Sequence, residues 1–487
     1  MKIKNLNKLI DTDIKLKIAN GVFWSFLGTF ISRGLFFLTT IFITDVVSLE
    51  EYGEIGIIKS IIVTFTMFSL ASFGVTATRY IAIYKEKDLS RVGKILSLTL
   101  LSTVLVSLII FIGINAFSTY FSRHVINKEG FTLGTFLISI AILFSAINGY
   151  QNGALAGFEK FKNISIINII NGVLSIPILF VLTKYYGVLG YCFGMALLFL
   201  ILFICSQIYL QRAVKEVDIK LNFFNIKSEF KIIKKFSIPS FLGGFIISPT
   251  ILVCNNILVK SNNGFVAMGI YEAAFNFSII AMTFNSMVGQ VLYPFAVRLF
   301  NKKNKKFDFL NLNMPWLISV FLSLFLIFLP DFFTYIFDEK YHNIEMYKTV
   351  IYIAIFIIFI SHRQGISRNL AAVNKMWYGF FDNLIWAFLA IVFTFYFVDK
   401  GAQGRALAFV LAYFINSIFI LPFYIKKEII QKNFIYSIQS ISIWSLVLVS
   451  FWITTLNLDL YLRLLLLILS LIFLCFISVN WFLKSKN

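Results

Sequence analysis

The chain has 487 residues, 59% of them hydrophobic and only 14% charged, with a mean hydropathy of +0.85. That composition excludes a soluble protein with one large core, and apolar runs long enough to cross ~30 Å of hydrocarbon recur along the whole length. A net charge of +20 would suit a nucleic-acid partner, but the basic residues are sorted between the loops as a membrane topology requires.

Taken in chain order, residues 2–17 read as an interfacial amphipathic helix. The first span, 19–44, is too long for a signal-peptide core and carries no convincing cleavage site, so it is expected in the mature protein. Arg33 lies about 14 residues into it, ~21 Å along the axis at the helical rise, beyond easy reach of headgroups. Thr29, Arg33, Phe36 and Thr40 follow helical spacing, so Arg33 belongs to a partly polar face. We expect that face to line a lumen; a structural pair with a nearby acid is the alternative.

Spans follow at 55–83, 95–117, 132–157, 164–184 and 188–210. Lys59 enters the second within snorkelling reach of the surface. Gly149, Gly153 and Gly157 end the fourth as a double GxxxG, and Gly190 with Gly194 repeat the motif in the sixth; both predict close helix approach. Asn168, Asn171 and Ser175 form a short polar stripe on the fifth. Residues 211–237, with seven basic and three acidic residues, alternate Phe and Ile with Lys and read as a cytoplasmic amphipathic linker.

Spans at 238–260, 266–297, 310–336, 346–372, 377–398 and 404–425 make a second set, and 435–456 and 462–483 are two more. On the eighth span Glu272, Asn276, Thr283 and Gln290 fall within ~40° of one another. Such a stripe is expected to line a cavity or a helix interface, with Pro294 marking a kink or a helix end. Lys59 and Glu272 occupy nearly equivalent repeat positions, and either an ion pair or two solvated ends is open. The tenth span is apolar to Ile360, then reads Ser361-His362-Arg363-Gln364-Gly365-Ile366-Ser367-Arg368-Asn369. If the helix continues, Ser361, Gln364, Gly365, Arg368 and Lys375 share a face suited to an inward-open cavity; if it ends near Ile360, they form a basic loop. His362 is the one histidine placed to couple protonation to transport, although a lone histidine is commonly structural. The four cysteines all lie in spans without a CxxC pair and read as packing residues.

The two sets of six spans resemble one another. Ser25-Phe26-Leu27-Gly28 returns as Ser240-Phe241-Leu242-Gly243 at an offset of 215, and Ile140-Ala141-Ile142 with Gln151 as Ile353-Ala354-Ile355 with Gln364 at 213. Gly187 and Gly190 return as Gly401 and Gly404 at 214. Three matches at nearly one offset indicate duplication. Six is even, so the copies start on the same side, as in parallel-repeat transporters. The fold class is therefore an all-α membrane protein of about 14 transmembrane helices. Residues 1–210 make an N-terminal lobe, 211–237 the linker, 238–425 a C-terminal lobe and 426–487 two extra helices. Of 43 Lys and Arg, 29 lie in the loops and tails of one side and the other 14 within spans or on the opposite side, which sets both termini in the cytoplasm.

No nucleotide-binding loop, metal motif or catalytic triad is present in the sequence, so we expect neither an enzyme nor a cofactor. Gly28 through Arg33 with Phe37, Glu51-Tyr52-Gly53, Phe73-Gly74 with Arg79, Gly153 through Phe161, Gly269-Ile270-Tyr271 and Tyr293-Pro294 recur here in an order that resembles oligosaccharide flippases of the multidrug/oligosaccharidyl-lipid/polysaccharide superfamily, the O-antigen or capsule repeat-unit kind. The resemblance covers essentially the whole chain. It implies a V-shaped, two-lobed transporter with a cationic lumen, in the inner membrane of a bacterium. Such a protein moves an undecaprenyl-pyrophosphate-linked oligosaccharide outward, alongside membrane lipids and the polysaccharide polymerase machinery. Arg33 matches the family's first-span arginine, whereas the span-ten arginines match less securely. Arginine's planar fork suits phosphate oxygens, so Arg33, Arg363 and Arg368 are the pyrophosphate candidates. Gln364, Glu272, Asn276, Gln290, Asn168 and Asn171 are the polar lumen candidates. An ion-coupled multidrug antiporter is the runner-up, though the first lobe lacks a deep acid. A glycan polymerase or glycosyltransferase would need an external loop or acidic metal site that is not seen, and a non-transporting scaffold would leave the polar faces merely packed.

Overall fold

The computed structural model describes residues 2–69, 73–223, 226–230, 245–299, 305–373, 375–456 and 458–486. It is all-α, and no strand occurs among the described residues. A helix satisfies every mid-segment backbone donor and acceptor internally, as hydrocarbon demands of a single span. Nine helical stretches among the described residues are long and apolar enough to cross a membrane. Cα packing divides the chain into two compact units, Met1–Ile43 with Ile58–Ser248 and Thr44–Ile57 with Pro249–Asn487.

The first unit holds α1 (Lys2–Val46, but for its last three residues), most of α2 (Leu49–Ser69), α3 (Val75–Tyr84), α4 (Leu89–Ala116), α5 (Thr132–Gly157) and α6 (Phe161–Glu216). Lipid tails are as apolar as leucine, so helices associate here through close packing and interhelical hydrogen bonds. The glycines of α5 do this. Gly153 sits so close to Gly74 that a Cβ would overlap its backbone, and Thr78 Oγ1 donates to the Gly153 carbonyl at 2.8 Å. Within the span expected at 55–83, α2 and α3 are the described α-helical parts, Phe73 and Gly74 ahead of α3 are wound as π-helix, and residues 70–72 lie outside the described residues. On the first arm of α6, Gly172 packs against Ser32 and Leu35 of α1, and Ser175 Oγ lies 2.9 Å from Thr39 Oγ1.

The second unit holds α7 (Ile247–Val259, from Pro249 onward), α8 (Gly264–Leu299), α9 (Met314–Phe328), α10 (Ile344–Ala372), α11 (Met376–Phe397), α12 (Gly401–Lys426), α13 (Ile438–Ile453) and α14 (Leu460–Lys486). The start of α2 joins this unit: Gly53 and Gly269 are so close to the Phe265 and Leu49 carbonyls that neither tolerates a Cβ. The two C-terminal helices dock on α9 through Trp316, Val320, Leu324, Ile443, Val447, Leu467 and Leu474.

The duplication is visible in the backbone. Two apolar stretches, Phe161–Glu216 and Met376–Lys426, are too long for one span and reverse at Gly187 (φ 55°, ψ −139°) and Gly401 (φ 62°, ψ −139°). That conformation is essentially restricted to glycine, and the two glycines are 214 residues apart, as the sequence repeat predicts. Three residues on, a Cβ at Gly190 would overlap the Leu182 carbonyl and one at Gly404 the Phe397 carbonyl. The same reverse turn is therefore built twice.

In the linker 211–237, residues 211–216 continue α6, 217–223 are not helical, a 3-10 turn spans Ile226–Glu229 and Phe230 is helical; residues 224, 225 and 231–244 lie outside the described residues, and the expected amphipathic segment falls largely among them. The described part is tied to α4: Arg91 Nε and Nη2 donate to both oxygens of Glu229 at 2.9 and 3.1 Å. The Lys220 carbonyl also sits against Gly93. Of the kink or helix end expected at Pro294, the end is excluded, because α8 runs through it to Leu299.

Candidate functional site

On α10 the helix continues to Ala372, so the polar half of the tenth span is helical rather than a basic loop. Asn343 caps its start by accepting from Met346 N at 2.9 Å. What this helix meets decides what each polar side chain can do.

Arg363 lies 2.9 Å, through Nη2, from Asp382 Oδ1 on α11, and both side chains are about nine-tenths buried. Asp382 is further held by Asn416 Nδ2 at 2.7 Å and by the Tyr424 hydroxyl at 2.8 Å, both from α12. The guanidinium stands 5.6 Å from the centre of the Tyr413 ring. A buried charge persists when it is paired and hydrogen-bonded, and this carboxylate is held from two helices. Arg363 is less completely used: its Nε and Nη2 are buried and make no aligned hydrogen bond. In the first unit the repeat-equivalent positions are Tyr150 and Asn168, a neutral pair of residues. Tyr150 donates to the Leu96 carbonyl at 3.2 Å.

Arg368 is placed differently. Its Nε and Nη2 both reach Asn311, the side-chain oxygen and the main-chain carbonyl, each at 2.7 Å. Asn311 in turn donates to Asn369 Oδ1 at 2.7 Å. This chain of bonds fastens α10 to the turn Phe309–Asn313 that leads into α9. Ser361 joins a second cluster, 2.5 Å from Asn285 Nδ2 and 2.7 Å from Ser319 Oγ. His362 is enclosed by rings: Phe434 stacks at 4.4 Å, with Trp316 at 4.9 Å and Trp444 at 5.6 Å between centroids. Its Nε2 is buried without a hydrogen bond. Gln364 is half-buried.

The stripe on α8 is buried at Glu272, Asn276 and Thr283, which rules out lipid exposure for these three. Asn276 Nδ2 donates to the Glu272 carbonyl at 2.6 Å and to the Tyr52 hydroxyl at 3.3 Å, so this part of the stripe meets the start of α2. The Gln290 side chain lies outside the described residues. Lys59 belongs to the first unit and Glu272 to the second.

In the first unit Arg33 is exposed, and no hydrogen bond or ion pair engages it among the described residues. Its helical neighbours Ser32 and Leu35 face α6, which leaves the guanidinium on another side of α1. On α6, Asn168 is half-buried, and Asn171 Oδ1 is buried without a hydrogen bond.

Two charged residues of the second unit escape a reading of the sequence. Asp382 was hidden by its place near the end of a span, although its distance of 214 from Asn168 marks it as a broken repeat position. Arg405 is fully buried, one turn into α12. Asn255 Oδ1 accepts from its Nε and Nη2 at 3.2 and 3.0 Å, the Phe409 ring lies 3.7 Å from its guanidinium carbon, and Nη1 has no partner. Among the described residues no carboxylate pairs with it.

Both helical units carry arginines within their spans, Arg33 in the first and Arg363, Arg368 and Arg405 in the second. The fold is similar to that of the lipid II flippase MurJ in an inward closed conformation, with a TM-score of 0.68 and 18% identity over 94% of this chain and 99% of that one. An inward-facing multidrug resistance transporter of the MATE family is similar at a TM-score of 0.67 and 12% identity, over 81% and 94%. A superfamily transporter from Pyrococcus furiosus, described as having a binding pocket of reversed polarity, matches at 0.62 and 13%, over 85% and 95%. An uncharacterized membrane protein of Methanocaldococcus jannaschii is 25% identical over 82% of this chain and 96% of its own length. The polysaccharide biosynthesis protein family matches residues 18–300, more than half of the chain, and the chain belongs to that family.

Proposed function

We propose that this protein flips a polyprenyl-pyrophosphate-linked oligosaccharide, of the undecaprenyl-linked repeat-unit kind, from the inner to the outer leaflet of a bacterial plasma membrane. The movement is alternating access, the product feeds surface polysaccharide such as O-antigen or lipopolysaccharide, and both termini face the cytoplasm. Arg33 carries this reading: it is a deep cation with no partner among the described residues, and a charge at that depth needs a reason. Its planar fork matches two phosphate oxygens. Arg363 adds buried N–H groups, while Arg368 holds the packing of α10. Gln364, Asn168 and Asn171 supply polar groups for sugar hydroxyls, and His362 is the candidate for proton coupling.

The test is deletion of the gene followed by leaflet assignment of the lipid-linked glycan. Glycan trapped in the cytoplasmic leaflet is expected, and normal sidedness would sink the reading. Losing one charge-assisted contact removes roughly 1.5–3 kcal/mol, so Arg33→Ala should slow export by about 10- to 100-fold.

An ion-coupled drug antiporter is the second reading, favoured by the similarity to a multidrug transporter. Against it, residues 14–44, 55–85, 89–128, 130–158 and 160–215 contain no Asp or Glu, so a cationic drug finds no mid-span counter-charge in the first lobe. Drug hypersensitivity on deletion, with normal glycan sidedness, would establish it.

A further inference from the structure

The end of the second unit that carries the C-terminus contains a cavity of about 240 Å³ that the transport reading does not use. It lies between the turn entering α9, the segment joining α12 to α13, and the last turns of α14. Asp308, Asn313 and Gln431 supply its polar wall, and Phe309, Phe434 and Trp481 its aromatic wall.

Three observations bear on what would fill it. Asn313 is 95% buried, and its Oδ1 accepts no hydrogen bond, so the wall holds an acceptor in need of a donor. Among the described residues the Asp308 carboxylate has one partner, the neutral Gln431, whose Nε2 donates at 2.5 Å. Burial outweighs that bond and pushes the Asp308 carboxyl up to about 6, the mark of a carboxylate lacking sufficient compensation. Finally, the one ionisable side chain that lines the cavity among the described residues is the Asp308 carboxylate, which favours a cationic group. Phe309 and Trp481 meet edge to face at 5.8 Å, presenting ring surface beside the carboxylate, and aromatic faces attract cations.

We propose that this cavity binds a primary ammonium group, with Asp308 and Asn313 Oδ1 accepting its N–H donors and the rings closing around it. A quaternary ammonium has no N–H to give Asn313 and is the poorer fit. The ammonium can come from an aminophospholipid headgroup in the adjoining leaflet or from a soluble amine.

The experiment uses the full chain purified in a detergent without a sugar headgroup. Binding of short-chain phosphatidylethanolamine, phosphatidylcholine and phosphatidylglycerol, and of free ethanolamine, is measured by titration calorimetry. The expected result is saturable phosphatidylethanolamine binding, at least tenfold tighter than phosphatidylcholine or phosphatidylglycerol, and at least tenfold weaker in Asp308→Asn. Ethanolamine binding as tightly as the lipid identifies a soluble amine as the source; its failure to bind identifies the headgroup. Equal affinity for all three headgroups, or no binding of any amine, overturns the proposal. So does an Asp308→Asn protein that melts cooperatively and binds phosphatidylethanolamine like the wild type. The headgroup series needs only wild-type protein, so the test stands even where the variant does not fold.

Discussion

Transplanting the first unit's repeat residues into the second tests whether Arg363 and Asp382 act as a pair. The equivalents of Arg363 and Asp382 are Tyr150 and Asn168, so the double variant Arg363→Tyr/Asp382→Asn copies a chemistry already present in the same helical framework. Asp382→Asn alone strands a guanidinium that is about nine-tenths buried, at a cost of about 3 kcal/mol, the lower end for a broken buried pair. Arg363→Tyr alone is milder, about 2 kcal/mol, because the carboxylate keeps its bonds from Asn416 and Tyr424. The double variant leaves no charge behind and should cost about 2 kcal/mol rather than the sum. The coupling of about 3 kcal/mol is the upper end for residues in contact. Thermal unfolding of the purified protein reads this out at roughly 2–4 °C per kcal/mol, so the double variant should melt above Asp382→Asn alone. If its loss equals the sum of the single losses, the pair is not coupled and the reasoning fails. Export adds a second readout: a double variant that folds but exports poorly would locate function in the Arg363 guanidinium itself.

Other outcomes follow from single residues. Gly401→Ala should lower stability by about 1–3 kcal/mol for the backbone conformation alone, and further because its Cβ would displace Glu345, which accepts from Ala402 N at 2.7 Å; comparing its Tm effect in the wild-type and Glu345→Ala backgrounds separates the two parts. Arg405→Met removes a buried charge that, among the described residues, has no carboxylate partner and one empty donor, so melting should occur at an equal or higher temperature; a large drop would show that an anion pairs with it. For Asp308 the folded carboxyl sits at about 6, raised from 3.8, so the folded state holds its proton more tightly. The penalty is absent below about pH 3, builds up between about pH 4 and 6 and is full above 6. Asp308→Asn should therefore raise Tm most at pH 7.5 and clearly less at pH 4.5, and the opposite pH order would refute the burial argument.

Helix type and the duplication were legible because both are local or periodic. An 18-residue apolar run has one solution in lipid, and Gly187 and Gly401 announce themselves through a conformation that other residues rarely adopt. Partners were not legible, because depth along a span says nothing about which neighbour a side chain meets. Arg405 and Asp382 sit near span ends, where a sequence reading sends charged groups to water, yet packing from other helices buries both. Arg368 and Ser361 lie on the polar face that the spacing defines, but that face meets Asn311, Asn285 and Ser319, contacts made across tens of residues. In the linker, the grip of Arg91 on Glu229 is likewise a tertiary contact that no pattern within residues 211–237 announces.

The two units share a hairpin geometry down to the dihedrals of one glycine, but they handle charge in opposite ways. In the second, Arg363 meets Asp382, and Arg368 is fastened to an asparagine, so cations there are largely committed to holding helices together. In the first, the ion-pair positions are neutral and Arg33 has no partner among the described residues. A duplicated framework allows this division, because once one copy secures the packing the other can keep an uncompensated charge for a ligand. A cation that is already paired must give up its partner before it binds an anion, and that exchange weakens the net gain. Arg33 faces no such exchange. The prediction that follows is an order of sensitivity: measured against protein level, export should fall further for Arg33→Gln than for Arg363→Gln, while Tm should fall further for Arg363→Gln. Parallel losses of export and Tm in both variants would show that neither arginine has a role beyond packing.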